Sequence, residues 1–383
     1  MPARVRTFAQ VLAETATGKR HLLLGNGFSI ALFPDRFRYG FLLGEADFTR
    51  CLEARRAFDQ LGTTDFEVVI KALRDAVALL PLYSAKADAA NRMQEHAESL
   101  KELLIQAIAG QHPERPSDIT EDQYRACRAF LAHFVGETRD FKAHGGKDCR
   151  GNIYTLNYDL LLYWTLLHDQ LVDWWVVDWN VGDPLASMIE QTEPLEHDDG
   201  FRAPEDDPDA AYVTWEAEGG ADSQNIHFLH GGLHLYDDGP ELQKRCWERS
   251  GGIPLVDQIR GALDAGKFPL FVSEGDSAGK LTRIRHSGYL QRSLKSFAGV
   301  CRSPGIGASL FIFGHSLASN DEHALRHIEK GRIAQVYVSI YGDPASDYNR
   351  PIIHRAQRMQ AVRNDKSPLT VAFFDAASAA VWG

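Results

Sequence analysis

Short apolar runs, each halted by a glycine or polar turn, organise this chain. They cover residues 21–24, 152–156, 226–229, 268–273, 309–313, 334–340 and 369–374. Each is too short for a helix. The polar alternation of a half-exposed strand is missing, which marks strands buried on both faces. Helical patterns separate the runs. This alternation predicts an α/β protein built on a Rossmann-like, doubly wound parallel sheet. In such sheets ligands bind beyond the carboxyl ends of the strands.

The intervening stretches carry helical spacing. Residues 8–15 read as a short amphipathic helix. Residues 45–148 are rich in Ala, Leu, Glu, Lys and Arg, with Phe66, Val69, Ile70, Leu73, Val77 and Leu80 on one helical face. They predict a large helical insertion between the first two strands, broken at residues 113–117 by Pro113 and Pro116. Residues 159–168 read as a further helix. From 173 to 224 the periodicity dissolves. Trp174, Trp175 and Trp179 precede an acidic stretch, 193–222, and the whole reads as an irregular, lid-like excursion. The expectation is one domain over 1–383.

Composition adds constraints. With 383 residues, 44% of them hydrophobic and 24% charged, the chain can build a sizeable core without disulfides or metal. A net charge of −11 argues against a general nucleic-acid surface, which needs clustered Lys and Arg. A small anionic ligand stays compatible, because backbone amides can hold phosphate. The five cysteines, Cys51, Cys127, Cys149, Cys246 and Cys301, are scattered, with no CxxC pair. That pattern predicts reduced thiols, a cytoplasmic location and no zinc module. Residues 1–20 lack a signal-peptide core, and no apolar run is long enough for a membrane helix.

Four motifs fall at predicted strand ends. Gly25-Asn26-Gly27-Phe28-Ser29 could let a diphosphate approach the backbone, or be an ordinary strand-to-helix turn. In Thr155-Leu156-Asn157-Tyr158-Asp159, Asn157 could hold ribose hydroxyls or orient a water, and Asp159 could equally cap a helix. His230, ahead of Gly231-Gly232, is the natural general base at neutral pH, or one structural histidine among 15. Nearby His227 and His234 raise a metal cluster, but His227 and His230 fall on opposite strand faces, so no metal is expected. Gly314-His315-Ser316-Leu317 is a second glycine turn able to approach phosphate or ribose. Asp321 fits a helix cap better than a ribose contact. Glu274, Asp276 and Lys280 read as a surface loop rather than as pocket residues.

In this order the motifs resemble the sirtuin superfamily. Gly25 to Ser29 is similar to its glycine-rich diphosphate loop, and Phe33-Pro34-Asp35-Arg36-Phe37-Arg38 loosely to the segment covering nicotinamide. Thr155 to Asp159 resembles the Thr-Gln-Asn-Ile-Asp motif, His230-Gly231 the catalytic His-Gly, and Gly314 to Leu317 the Gly-Thr-Ser-Leu ribose turn. Phe374-Asp375-Ala376 is similar to the adenine-side turn. The resemblance implies Asn157 and His230 as catalytic residues. It implies Gly25, Asn26, Gly27, Phe28, Ser29, Asp159, Gly314, His315, Ser316 and Asp321 as NAD contacts.

Sirtuin deacylases carry a four-cysteine zinc module, which this chain does not match, and the helical insertion is foreign to them. Both departures agree with the sirtuin-like NAD hydrolases of bacterial antiphage defence. NAD is then the substrate, with no metal, and regulation would come through homo-oligomerisation or a HerA-type ATPase or other defence partner. A non-catalytic sensor of NAD or an ADP-ribose derivative is the alternative, and protein deacylation a more distant one.

Overall fold

The computed structural model describes residues 4–83, 87–136, 150–176, 195–216 and 223–383. Its strands are β1 (Val5–Arg6), β2 (Arg20–Leu24), β3 (Ile153–Thr155), β4 (Phe201–Arg202), β5 (Tyr212–Trp215), β6 (Ile226–Phe228), β7 (Leu235–Asp237), β8 (Leu242–Arg245), β9 (Ser309–Phe313), β10 (Gln335–Ile340) and β11 (Thr370–Asp375). Seven form one sheet in the order β1-β11-β10-β9-β2-β3-β6. Every pairing in it is parallel. The α/β, Rossmann-like reading of the chain therefore holds.

The order contains a reversal. From β2 the sheet grows through β3 to β6 on one side. The chain then returns to the other side of β2 and continues through β9, β10 and β11. The switch point lies between β2 and β9, where a doubly wound sheet opens its crevice. Leu22, Leu23 and Leu24 of β2 and Leu310, Phe311 and Ile312 of β9 are fully buried, which accounts for their unbroken apolar character. Phe8, at the start of the helix Phe8–Glu14, packs its ring against Phe130, Phe311 and Phe374, with centroids 5.4, 6.1 and 5.5 Å away. That cluster fastens two helices to the sheet.

Between β2 and β3 the helices Leu52–Leu61, Phe66–Tyr83, Ala87–Gln111 and Glu121–Val135 occupy the stretch read as an insertion. Its break is a turn with a single 3-10 helix at Pro116–Asp118. Residues 84–86 and 137–149, with Cys149, lie outside the described residues. The helix Leu161–Val176 follows β3.

Two expectations need correction. Residues 268–273 form no strand of the sheet. Pro269 offers no amide, and the run is joined by a bridge from Phe271 to Gly231 and by the Leu270 amide, which donates to the Leu235 carbonyl at 2.7 Å. The stretch 173–224 is not simply irregular. It contributes β4 and β5 to an antiparallel sheet ordered β4-β5-β8-β7. Acidic residues there are paired: Asp199 accepts from Lys244 at 2.5 Å, and Asp198 from Arg202 at 2.5 Å. Trp179 and the side chains of Trp174 and Trp175 lie outside the described residues, as do 177–194 and 217–222. Among the described residues Cys51, Cys127, Cys246 and Cys301 are free thiols. No helix among them is long and apolar enough to cross a membrane.

Candidate functional site

Register sets the site. Leu24 of β2 lies beside Thr155 of β3 and Phe313 of β9, and Thr155 lies beside Phe228 of β6. Counting on from this shared rung, His315, Asn26, Asn157 and His230 each stand two residues beyond it, on the adjacent strands β9, β2, β3 and β6. Four of the predicted site residues thus leave the sheet at one level.

The glycine turns meet each other. The Gly27 amide donates to the Gly314 carbonyl at 2.8 Å, and the Gly25 amide to that of Phe313 at 2.9 Å. A Cβ on Gly27 would lie 2.5 Å from the Gly314 Cα, and Gly314 itself has φ 68°. These glycines are required by backbone packed on backbone across the switch point. The Phe28, Ser29 and Ile30 amides donate to Gly25, Asn26 and Asn26 carbonyls. The expected phosphate cradle is therefore already bonded within the protein. Phe28 is a core residue, its ring 5.0 Å from that of Trp382, whose indole N–H donates to the Phe28 carbonyl at 2.8 Å. Asn26 donates to the Phe37 carbonyl at 2.8 Å and so ties down the 33–38 segment.

One buried network gathers the second motif. The Asn157 side-chain Nδ2 donates to Ser29 Oγ at 3.0 Å, and Ser29 donates to Asp159 Oδ2 at 2.5 Å. The other Asp159 oxygen accepts from the Leu161 amide, so the residue caps its helix as well. Burial pushes the Asp159 carboxyl up, against the hydroxyl and amide that hold it down.

A second network surrounds His230. Its Nε2 lies 2.9 Å from Nε2 of His323 and 3.8 Å from Asp321 Oδ1. Asp321 Oδ1 accepts from Lys280 at 2.8 Å, and Lys280 also donates to Glu67 Oε2 at 2.7 Å. Asp321 Oδ2 is 3.0 Å from His315 Nε2. The Leu317 amide donates to His315 Nδ1 at 2.9 Å, so Nε2 carries the His315 proton and donates to Asp321. Leu317 takes a left-handed φ of 56° to make that contact. Asn320 donates to Glu67 Oε2 at 2.5 Å, and the Tyr158 hydroxyl to the Val272 carbonyl at 2.6 Å.

Electrostatics divide these groups. Burial pushes the His230 imidazole well below its usual range, reinforced by Lys280 and opposed by Asp321. Burial brings His323 down to about 4. Both rings are neutral at pH 7. Burial raises Glu67 to about 7, with Lys280 pulling down and Asp321 pushing up. Burial also works against the Asp321 carboxylate. The Lys280 ammonium and the hydrogen bond from His315 overcome it and hold the carboxyl well below its ordinary value. Lys280 stays protonated, since its two carboxylates outweigh its burial.

Asp321 occupies the N-cap position of the helix Glu322–Glu329, yet its side chain makes no cap bond and turns to Lys280 and His315. Lys280, read from the sequence as part of a surface loop, is 1% exposed and central. Asp276 caps the helix Ser277–Arg285, and this sends Lys280 inward one turn later. No motif in the sequence singles out Glu67 or His323. Ser316 is exposed. His227 stacks on Tyr154 and His234 on Tyr163, both apart from the His230 cluster. Gly231 (φ 79°) brings the 268–273 run over the site, where a Cβ would lie 2.0 Å from the Leu270 carbonyl oxygen.

These features define an α/β protein with a buried, charged polar centre at the switch point of a parallel sheet. The chain belongs to the family described as Domain of unknown function (DUF4917), whose model matches residues 22–382. No curated protein matches it.

Proposed function

We propose that this centre hydrolyses the nicotinamide–ribose bond of NAD. The observation that supports the reading is the placing of Asn157 and His230 at one level beyond adjacent strands. In this reading Asn157 holds the nicotinamide ribose and positions a water, and His230, neutral at pH 7, accepts the proton of that water. The glycosidic C–N bond breaks, its electron pair neutralising the pyridinium nitrogen, and the water oxygen bonds to the ribose carbon. The intervening charge is oxocarbenium-like. Nicotinamide leaves neutral, so no acid is needed for it.

The resemblance to sirtuin-like defence proteins extends the reading to NAD depletion during phage infection, regulated by self-assembly or by a HerA-type ATPase. The test is product chromatography after incubating the purified chain with NAD. Equal amounts of nicotinamide and ADP-ribose are expected. NAD bound but intact would favour a sensor, and turnover only with an acylated peptide would favour deacylation.

A further inference from the structure

His230, Asp321 and His323 bring two imidazoles and a carboxylate together, with one ligand-type atom from each residue within 4.8 Å of the others. They are 1%, 8% and 1% exposed. We propose that these three side chains form a binding site for a first-row transition-metal dication. The inference does not depend on NAD being the substrate.

Three observations carry it. First, the two Nε2 atoms face each other at 2.9 Å. Nitrogens bound to one tetrahedral ion at about 2.0–2.1 Å lie roughly 3.3 Å apart, so a small parting of the rings, with the proton now shared between them moved to Nδ1, admits an ion between the two nitrogens. Second, Asp321 is already oriented as a ligand. His315 donates to its Oδ2, and the Leu317 amide fixes the His315 tautomer. Ligating carboxylates are characteristically held in this way. Third, two buried acidic side chains, Glu67 and Asp321, share the ammonium of Lys280, so Asp321 is not held by a cation of its own. Lys280 keeps its bond to Glu67 when the ion takes Asp321 Oδ1.

The donor set selects the class of ion. Two imidazole nitrogens and one oxygen suit zinc, cobalt, nickel, iron or manganese, whereas calcium and magnesium require oxygen ligands. Three protein ligands leave a position open for water, as in catalytic rather than structural sites. A bound ion would occupy the His230 lone pair, so His230 would no longer accept a proton, and the ion would instead lower the pKa of a bound water to supply hydroxide.

The experiment is metal analysis of the full chain. The protein is stripped with chelator, exposed to Zn2+ or Co2+, passed through a desalting column and assayed by mass spectrometry. The expected result is one ion per chain, visible d–d bands of tetrahedral Co2+, and a raised thermal midpoint with Zn2+ but not with Mg2+. His323→Gln should keep the circular dichroism of wild type and retain no ion. The proposal is overturned if stripped wild type retains neither metal, if folded His323→Gln binds as wild type does, or if Co2+ shows sulfur charge-transfer bands. Should His323→Gln not fold, the wild-type Co2+ spectrum and stoichiometry decide alone.

Discussion

Lys280 donates to Glu67 Oε2 at 2.7 Å across 213 residues of sequence, and both side chains are almost wholly buried. Glu67 opens the helix Phe66–Tyr83, so the insertion supplies a charged group to the centre at the sheet edge. Removing one partner strands the other charge in the interior. Lys280→Met should cost about 3–5 kcal/mol in urea unfolding. Lys280→Met combined with Glu67→Leu should cost clearly less than the sum of the two single changes. Additive losses would mean that the pair is not coupled.

His112 staples the insertion to the loop that carries Asn157. Its Nε2 accepts from the Leu160 amide at 3.0 Å, and its Nδ1–H donates to the Pro113 carbonyl at 3.0 Å. Burial lowers its pKa from 6.5 to about 4. The unfolded chain therefore takes up the proton first. The contribution is complete above pH 6.5 and is lost as pH falls towards 4, amounting to about 3 kcal/mol. Stability measured between pH 7 and 4 should fall less steeply in His112→Gln than in wild type. Parallel profiles would contradict the assignment.

Glycine substitutions separate packing from permissive turns. Gly27→Ala drives a methyl to 2.5 Å from the Gly314 Cα and should destabilise by about 1–3 kcal/mol. Gly44→Ala, in the helix Tyr39–Glu45 with nothing near the new methyl, should stabilise by about 0.5–1 kcal/mol. Thermal midpoints of the two variants should move in opposite directions.

What the sequence discloses follows the range of the interactions. Runs such as Leu310 to Phe313 announce buried parallel strands because neighbours on both faces are apolar. Val5–Arg6 is a two-residue strand and leaves no pattern, while Phe268 to Ser273 imitates a strand until Pro269 is weighed. Ser29, Asn157 and Asp159 were legible as motif positions, though the hydrogen bonds joining them were not. Lys280 sits in Ser-Ala-Gly-Lys-Leu-Thr-Arg, which carries the local pattern of an exposed helix. Only partners 41 and 213 residues away make it a core residue. Glu67 is hidden for the same reason, and His323 is one more polar residue on an amphipathic helix.

The central claim is that Asn157 and His230 work on one bond. It is tested by the steady-state rate of nicotinamide release from NAD by wild type, Asn157→Ala and His230→Ala, each checked for native circular dichroism. Loss of turnover by about 10²–10⁴-fold in His230→Ala, with a comparable loss in Asn157→Ala, is the predicted result. Folded variants releasing nicotinamide at the wild-type rate would contradict it.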